Sequence, residues 1–332
     1  MEIKVLNAQD MGAVFTMSDA ITATKDAMEL YSAGQSNIPI RANLDIAQHA
    51  GKSLYMYGYA APANALGVKI VSTYPNNIEK GLVSVPATMV LIDDSTGYVK
   101  AMMNGTFLTQ IRTGAVVGMA TQVLSREDSS VFALFGTGGQ AITQLESVLT
   151  VRPIKLVKVF DINVERAQAF ASDMSTKFGE KFGVNIVAAS SADEAIADAD
   201  IITSVTTARN AVFNGKLVKK GAHINGVGSY LPEMSEIDEY IILNADKVFV
   251  DTRDGVLQEC GDVIKPIDKG LYSADRLSGE IGEAIAGTVK GRESDDEITV
   301  FLTTGSAVLD LVTAERIYQK ASEKGKGQTI NL

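Results

Sequence analysis

Two sets of residues in this chain combine types and spacings that support chemistry. The first is Val131-Phe-Ala-Leu-Phe-Gly-Thr-Gly-Gly-Gln-Ala141, an apolar run that stops at Gly136, followed by a glycine-rich turn and a helix-like segment. One βαβ unit later the run Lys155 to Phe160 closes on Asp161. Such a turn lets a backbone approach a pyrophosphate, and the helix start beyond it offers unpaired N–H groups to the negative charge. An acid ending the second strand suits a ribose 2′-hydroxyl and repels a 2′-phosphate, so NAD is expected over NADP. A nicotinamide cofactor would direct the chemistry to hydride transfer. The same turn also serves as a plain strand-to-helix connection, and its third position is Ala141 rather than glycine.

The second set is three cations. Arg41 follows Pro39-Ile40, Lys69 lies inside Leu66-Gly-Val-Lys-Ile-Val71, and Arg112 stands in Thr109-Gln-Ile-Arg-Thr-Gly114. A lysine in a buried strand is costly unless an anion meets it. A guanidinium suits a two-point grip on a carboxylate or phosphate. Taken singly, the plainer reading prevails: the arginines as solvated side chains and Lys69 as a snorkelling one.

Other chemistries are poorly supplied. With only His49 and His223, neither a Ser/His/Asp triad nor a histidine metal site is expected, and His223 reads as a buried strand residue. Cys260 is the single cysteine, which excludes an intrachain disulfide, makes a cytoplasmic setting the default and leaves the thiol a bystander. The net charge of −10 argues against a nucleic-acid partner. The N-terminal residues lack an apolar signal core, and no later run approaches a membrane span.

The elements that must position these groups fall into two patterns. From about 130 to 300, short apolar runs (131–135, 156–160, 185–188, 201–205, 222–227, 247–250, 298–302) alternate with helical stretches such as 140–149, 164–178 and 192–197. That predicts an α/β fold with a Rossmann-type, doubly wound parallel sheet, its strands buried on both faces. The earlier part reads as α+β, with a helix at 18–31 and strands at 53–60, 66–72, 87–92 and 98–103. Asp93-Asp-Ser-Thr-Gly97 is a hairpin turn between the last two strands. A helix at 113–124 is expected to join the parts. Another at 305–321 carries Ala307, Leu311, Ala314 and Tyr318 on one face and returns to the first part. The tail Lys324-Gly-Lys-Gly327 is expected to fray. The expected domains are 1–115 with 305–332, and 116–304.

Gly67-Val-Lys-Ile-Val-Ser-Thr-Tyr-Pro-Asn76, the stretch 102–115, Phe135-Gly-Thr-Gly-Gly-Gln-Ala141, Gly226-Val-Gly-Ser229 and Thr303-Thr-Gly-Ser-Ala-Val-Leu-Asp-Leu311 together resemble the ornithine cyclodeaminase/mu-crystallin family over nearly the whole chain. The resemblance implies a homodimer joined through the non-nucleotide, substrate-binding domain. It implies that Arg41 and Lys69 contact a substrate carboxylate, with Lys69 also acting on the reacting nitrogen. Arg112 would contact substrate or cofactor phosphate, and Ser84 would face the cofactor. Gly136, Gly138, Gly139, Gln140, Ala141 and Asp161 match the nucleotide positions, and Thr206 lies beside the adenosine path. Val227, Gly228, Thr303 and Thr304 would border the nicotinamide, with Thr304 also near substrate.

One departure bears on the reaction. Where cyclodeaminase and alanine dehydrogenase branches carry an acid/base aspartate, this chain has Tyr230, and Glu233, Glu236 and Asp238 lie close by. A tyrosine of ordinary pKa, ~10, is a poor base at neutral pH. Cyclodeamination needs repeated proton transfers, whereas reduction of a preformed imine needs fewer. The expectation is therefore an NADH-dependent reductase of a small imino acid, such as a cyclic ketimine or pyrroline-2-carboxylate, with Lys69 and Tyr230 catalytic. The resemblance also allows ornithine cyclodeaminase, alanine dehydrogenase and a non-enzymatic, mu-crystallin-like ligand-binding protein. No metal is expected.

Overall fold

The computed structural model describes residues Glu2–Leu332, and the chain divides into two compact units, Met1–Arg112 with Ser306–Leu332, and Thr113–Gly305.

The first unit is built on a seven-stranded sheet. Its strands are β1 (Glu2–Leu6), β2 (Ala42–Ile46), β3 (Gly51–Ala60), β4 (Ala65–Thr73), β5 (Ala87–Ile92), β6 (Val99–Asn104) and the C-terminal strand Gln328–Asn331. They lie in the order 328–331, β1, β6, β5, β4, β3, β2, antiparallel except for β1 beside β6. The Asp93 carboxylate shapes the β5–β6 turn by accepting from the backbone N–H and hydroxyl groups of Ser95 and Thr96. The helices Met17–Ser32 and Ala307–Glu323 pack together, and the latter also lies on β3 and β4. Alternation along β4 turns Lys69 inward, while Ile70 faces outward and remains exposed.

The second unit holds an eight-stranded parallel sheet of β7 (Val131–Phe135), β8 (Leu156–Phe160), β9 (Asn185–Ala188), β10 (Ile201–Ser204), β11 (His223–Gly226), β12 (Lys247–Val250), β13 (Gly279–Glu280) and β14 (Thr299–Leu302). The order β13-β12-β14-β11-β10-β7-β8-β9 reverses direction between β7 and β10, the Rossmann switch point. Both faces are covered, so β10, β11 and β14 are buried throughout. His223 sits there between Thr299 Oγ1 and the Asn225 amide oxygen. Cys260 is likewise buried, and burial pushes its thiol pKa well up.

Two expectations are corrected. The connecting helix runs from Gly105 to Leu124, not from 113: the Asn104 side chain accepts from Phe107 N and starts it at the end of β6. Gly105 permits this, because a methyl there would lie 2.7 Å from the Ala87–Thr88 backbone. The tail does not fray. Gly325 and Gly327, at φ of 60° and 87°, turn the chain into the strand 328–331, which pairs with β1.

Candidate active site

In the first unit a charged cluster is buried beneath the sheet. Asp310, in the first turn of the helix Ala307–Glu323, accepts from Lys69 Nζ at 2.6 Å and from Arg112 Nε at 2.9 Å. Lys69 is 1% exposed and Asp310 0%, so the snorkelling and solvated readings of Lys69 and Arg112 do not hold. The anion that meets Lys69 is a side chain 241 residues away. Burial is the largest influence on the Lys69 ammonium; Asp310 opposes it, Arg112 and Arg41 reinforce it, and the pKa falls to about 7. Arg41 is half-buried and electrically coupled to Lys69. Two cations therefore meet one carboxylate, with Arg41 close enough to Lys69 to be felt by it. The bond to Asp310 uses only Nε of Arg112, so the charge excess suits a second, incoming carboxylate. Ser84 is half-buried in the loop after Gly81, and its carbonyl accepts from Tyr74 N.

In the second unit the glycine turn follows β7. Gly136 has φ +93°, and a methyl there would lie 2.8 Å from the Val205 carbonyl, so only glycine suits the position. Its N–H donates to Phe160 O, locking the turn to β8. Around Gly138 the space a side chain would occupy is open. Gly139 and Gln140 complete the turn, and Ala141 opens the helix Ala141–Val151, its N–H donating to Gly138 O. The Gln140 Oε1 is buried and has no hydrogen-bond partner among the described residues. Asp161 accepts from Thr137 N and Oγ1 at 3.0 and 2.7 Å through Oδ2, and from Asn163 N through Oδ1. The acid is thus tied to the glycine turn. Ile162 beside it is 96% exposed, an apolar surface suited to a base. The open cradle at Gly138, the orphaned amide oxygen and the anchored acid fit a dinucleotide.

The remaining expected contacts lie at the same edge of the parallel sheet, beyond the C-terminal ends of β10, β11 and β14. Thr206 N and Gly228 N both donate to the Glu236 carboxylate. Val227 N donates to Ser204 O. Thr303 Oγ1 donates to Asp251 Oδ2 at 2.6 Å, and Gly305 N to the same oxygen at 2.8 Å, which fixes the segment carrying the buried Thr304. Tyr230 is half-buried in the loop after β11. The three nearby acids separate: Glu233 is exposed, Asp238 caps the helix Glu239–Asn244, and Glu236 is fully buried. Sequence reasoning missed Asp310, Thr137, Asp251 and the burial of Glu236. Among the described residues no group of His, Cys, Asp and Glu is arranged to hold a metal ion.

A family model described as ornithine cyclodeaminase/mu-crystallin matches residues 1–325. The chain belongs to this family. It is 39% identical over 328 residues to a Delta(1)-pyrroline-2-carboxylate reductase of Bacillus cereus, covering 99% of each. It is similar to the structure of Thermococcus litoralis Delta(1)-pyrroline-2-carboxylate reductase in complex with NADH and L-proline (TM-score 0.94, 39% identity, 99% of this chain and 100% of that chain). It is also similar to an archaeal alanine dehydrogenase dimer with bound NAD, with TM-score 0.91, 33% identity and 100% of both chains covered.

Proposed function

We propose that this protein is an NAD-dependent reductase of a small cyclic imino acid, with 1-pyrroline-2-carboxylate, reduced to proline, as the leading substrate. What carries the reading is full-length similarity at 39% identity to two pyrroline-2-carboxylate reductases, in a chain that keeps Arg41, Lys69 and Arg112 and has Tyr230 where the cyclodeaminase acid would stand.

Arg41, Lys69 and the Nη groups of Arg112 hold the substrate carboxylate. When bound, NADH supplies the hydride that the imine carbon takes up. The Lys69 ammonium, held to about 7, gives its proton to the nitrogen, directly or through water, so that one C–H and one N–H bond form as C=N becomes C–N. Tyr230 lines the pocket or relays that proton. The turn Gly136, Gly138, Gly139, Gln140 and Ala141 holds the pyrophosphate and Asp161 the adenosine ribose. In the second unit Thr206, Val227, Gly228, Thr303 and Thr304 complete the cofactor surroundings.

The test is NADH oxidation on addition of 1-pyrroline-2-carboxylate. Absence of turnover with it and with piperideine-2-carboxylate sinks the reading. Similarity to the alanine dehydrogenase supports a second activity, which net NADH formation from alanine and NAD would reveal. Ammonia release from ornithine would instead move the reading to a cyclodeaminase.

The working unit is a homodimer joined through the first unit. The edge strand β2 is almost wholly exposed, and Leu44, Tyr57 and Ile70 present apolar surface on β2 to β4. Light scattering giving a monomer at micromolar concentration refutes this. The single buried cysteine accords with a reducing, cytoplasmic setting. Among the described residues no helix is long and apolar enough to cross a membrane.

A further inference from the structure

The second unit contains a buried carboxylate that the chemistry above leaves unused. Glu236 is fully buried, and among the described residues no cation pairs with it. Its Oε1 accepts from Ser204 Oγ at 2.7 Å and from Thr206 N, and its Oε2 accepts from Gly228 N. Ser204 ends β10 and Gly226 ends β11; these residues are register partners, and Thr206 and Gly228 each lie two residues beyond. Ser204 is also the register partner of Phe135, the residue before the glycine turn. One side chain therefore bridges the two loops next to that turn, at the edge of the sheet where Rossmann folds receive their ligands.

The surroundings leave little freedom. A methyl on Gly228 would overlap the Thr206 carbonyl and lie 2.6 Å from the Glu236 carboxylate. Behind Glu236, Asp262 Oδ1 accepts from Ser235 Oγ, Glu236 N and Ile237 N, fixing the backbone that presents the clamp. Val212 N donates to Glu236 O and closes the other side. This arrangement opposes ionisation of the group it contains: burial, helped by Asp262, pushes the Glu236 carboxyl up to about 7. A buried carboxylate without a cation is a poor way to stabilise a fold, and an apolar or amide side chain would serve packing better. What it supplies is two strong acceptors facing two backbone N–H groups, one in each loop.

We propose that Glu236 is a positioning residue that holds the Thr206 and Gly228 loops in the geometry that receives the dinucleotide. The inference rests on the NADH-binding reading above. Glu236 acts through the two loops and touches neither cofactor nor substrate.

The experiment uses the full-length protein, with NADH affinity read by fluorescence and the KM values read with 1-pyrroline-2-carboxylate. In Glu236→Gln the amide oxygen keeps one loop, but the amide N–H₂ faces the Gly228 N–H, donor against donor. The expected result is a weakening of NADH affinity, and a rise in its KM, of about tenfold or more, with the KM for the imine changing less than about twofold. If Glu236→Gln does not fold, Glu236→Asp keeps the charge but is one methylene too short to span both loops, and the same split is expected at smaller amplitude. NADH affinity within about twofold of wild type in a folded variant overturns the inference, and so does an equal rise in both KM values. Failure of the wild type to bind NADH overturns the proposed function instead.

Discussion

Replacing Asp310 by Asn tests the buried cluster most directly. At 2.6 Å and an effective dielectric constant of about 20, the attraction between the Asp310 carboxylate and the Lys69 ammonium is about 6 kcal/mol. Asn retains an oxygen that accepts a hydrogen bond, and the cluster relaxes, so about a third of that, about 2 kcal/mol, is taken as lost. This corresponds to about 1.5 pK units and moves Lys69 from about 7 to about 5.5. At about pH 7.5 the protonated fraction then drops from about a quarter to about 1%, so imine reduction at low substrate slows about 25-fold. Because the proton donor is the acid form, activity in the reductive direction falls as pH rises through the Lys69 pKa, and the variant loses activity at lower pH than wild type. The assay is kcat/KM for NADH-dependent reduction of 1-pyrroline-2-carboxylate from about pH 5 to 9, with most of the lost rate recovered near the acid end. A descending limb at the same pH in both proteins, or a uniform loss at every pH, refutes the assignment of that limb to Lys69. Circular dichroism of the variant checks folding, since leaving buried cations short of their partner costs about 3–5 kcal/mol in comparable cases.

Three further outcomes follow from single groups. Wild type is expected to prefer NADH to NADPH, and Asp161→Asn to narrow that preference about tenfold by removing the charge that repels a 2′-phosphate, read from the two KM values. Gly136→Ala forces a left-handed residue to carry a methyl against the Val205 carbonyl, and should lower the unfolding free energy by about 1–3 kcal/mol and weaken NADH binding, seen by urea unfolding and fluorescence titration. His223 has its pKa depressed to about 3, chiefly by burial and then by Arg292, so the unfolded state binds its proton more readily. Its contribution is complete above the unfolded value of about 6.5 and is lost as pH falls from there toward 3, so going from about pH 7 to 5 costs wild type about 2 kcal/mol more than His223→Gln.

The parts of the fold that were readable in the sequence are those whose physics is local. Strands β7, β10 and β14 are buried almost throughout, so each lies in a mostly apolar run within a residue or so of its observed bounds. Strand β2 is an edge strand, exposed nearly throughout; Ala-Asn-Leu-Asp-Ile alternates over only five residues without a buried face, and its pairing with β3 is visible only in three dimensions. The strand 328–331 was hidden in the same way, since its order comes from β1 at the opposite end of the chain. The site divides along the same line. Gly136 and Asp161 could be found because a turn and a strand end leave sequence signatures, whereas Thr137, which ties them together, is an ordinary turn residue until its bonds are seen. Lys69 was marked by its cost: a charge in an apolar strand demands an anion. Spacing could not say that the anion was internal, because Asp310 occupies the first turn of a helix read for its apolar face, where an acid is ordinary complement to the helix dipole. The three acids after Tyr230 looked interchangeable for a related reason: three donors from other segments, Ser204 Oγ, Thr206 N and Gly228 N, set Glu236 apart, and two of them are main-chain groups that have no letter in a sequence.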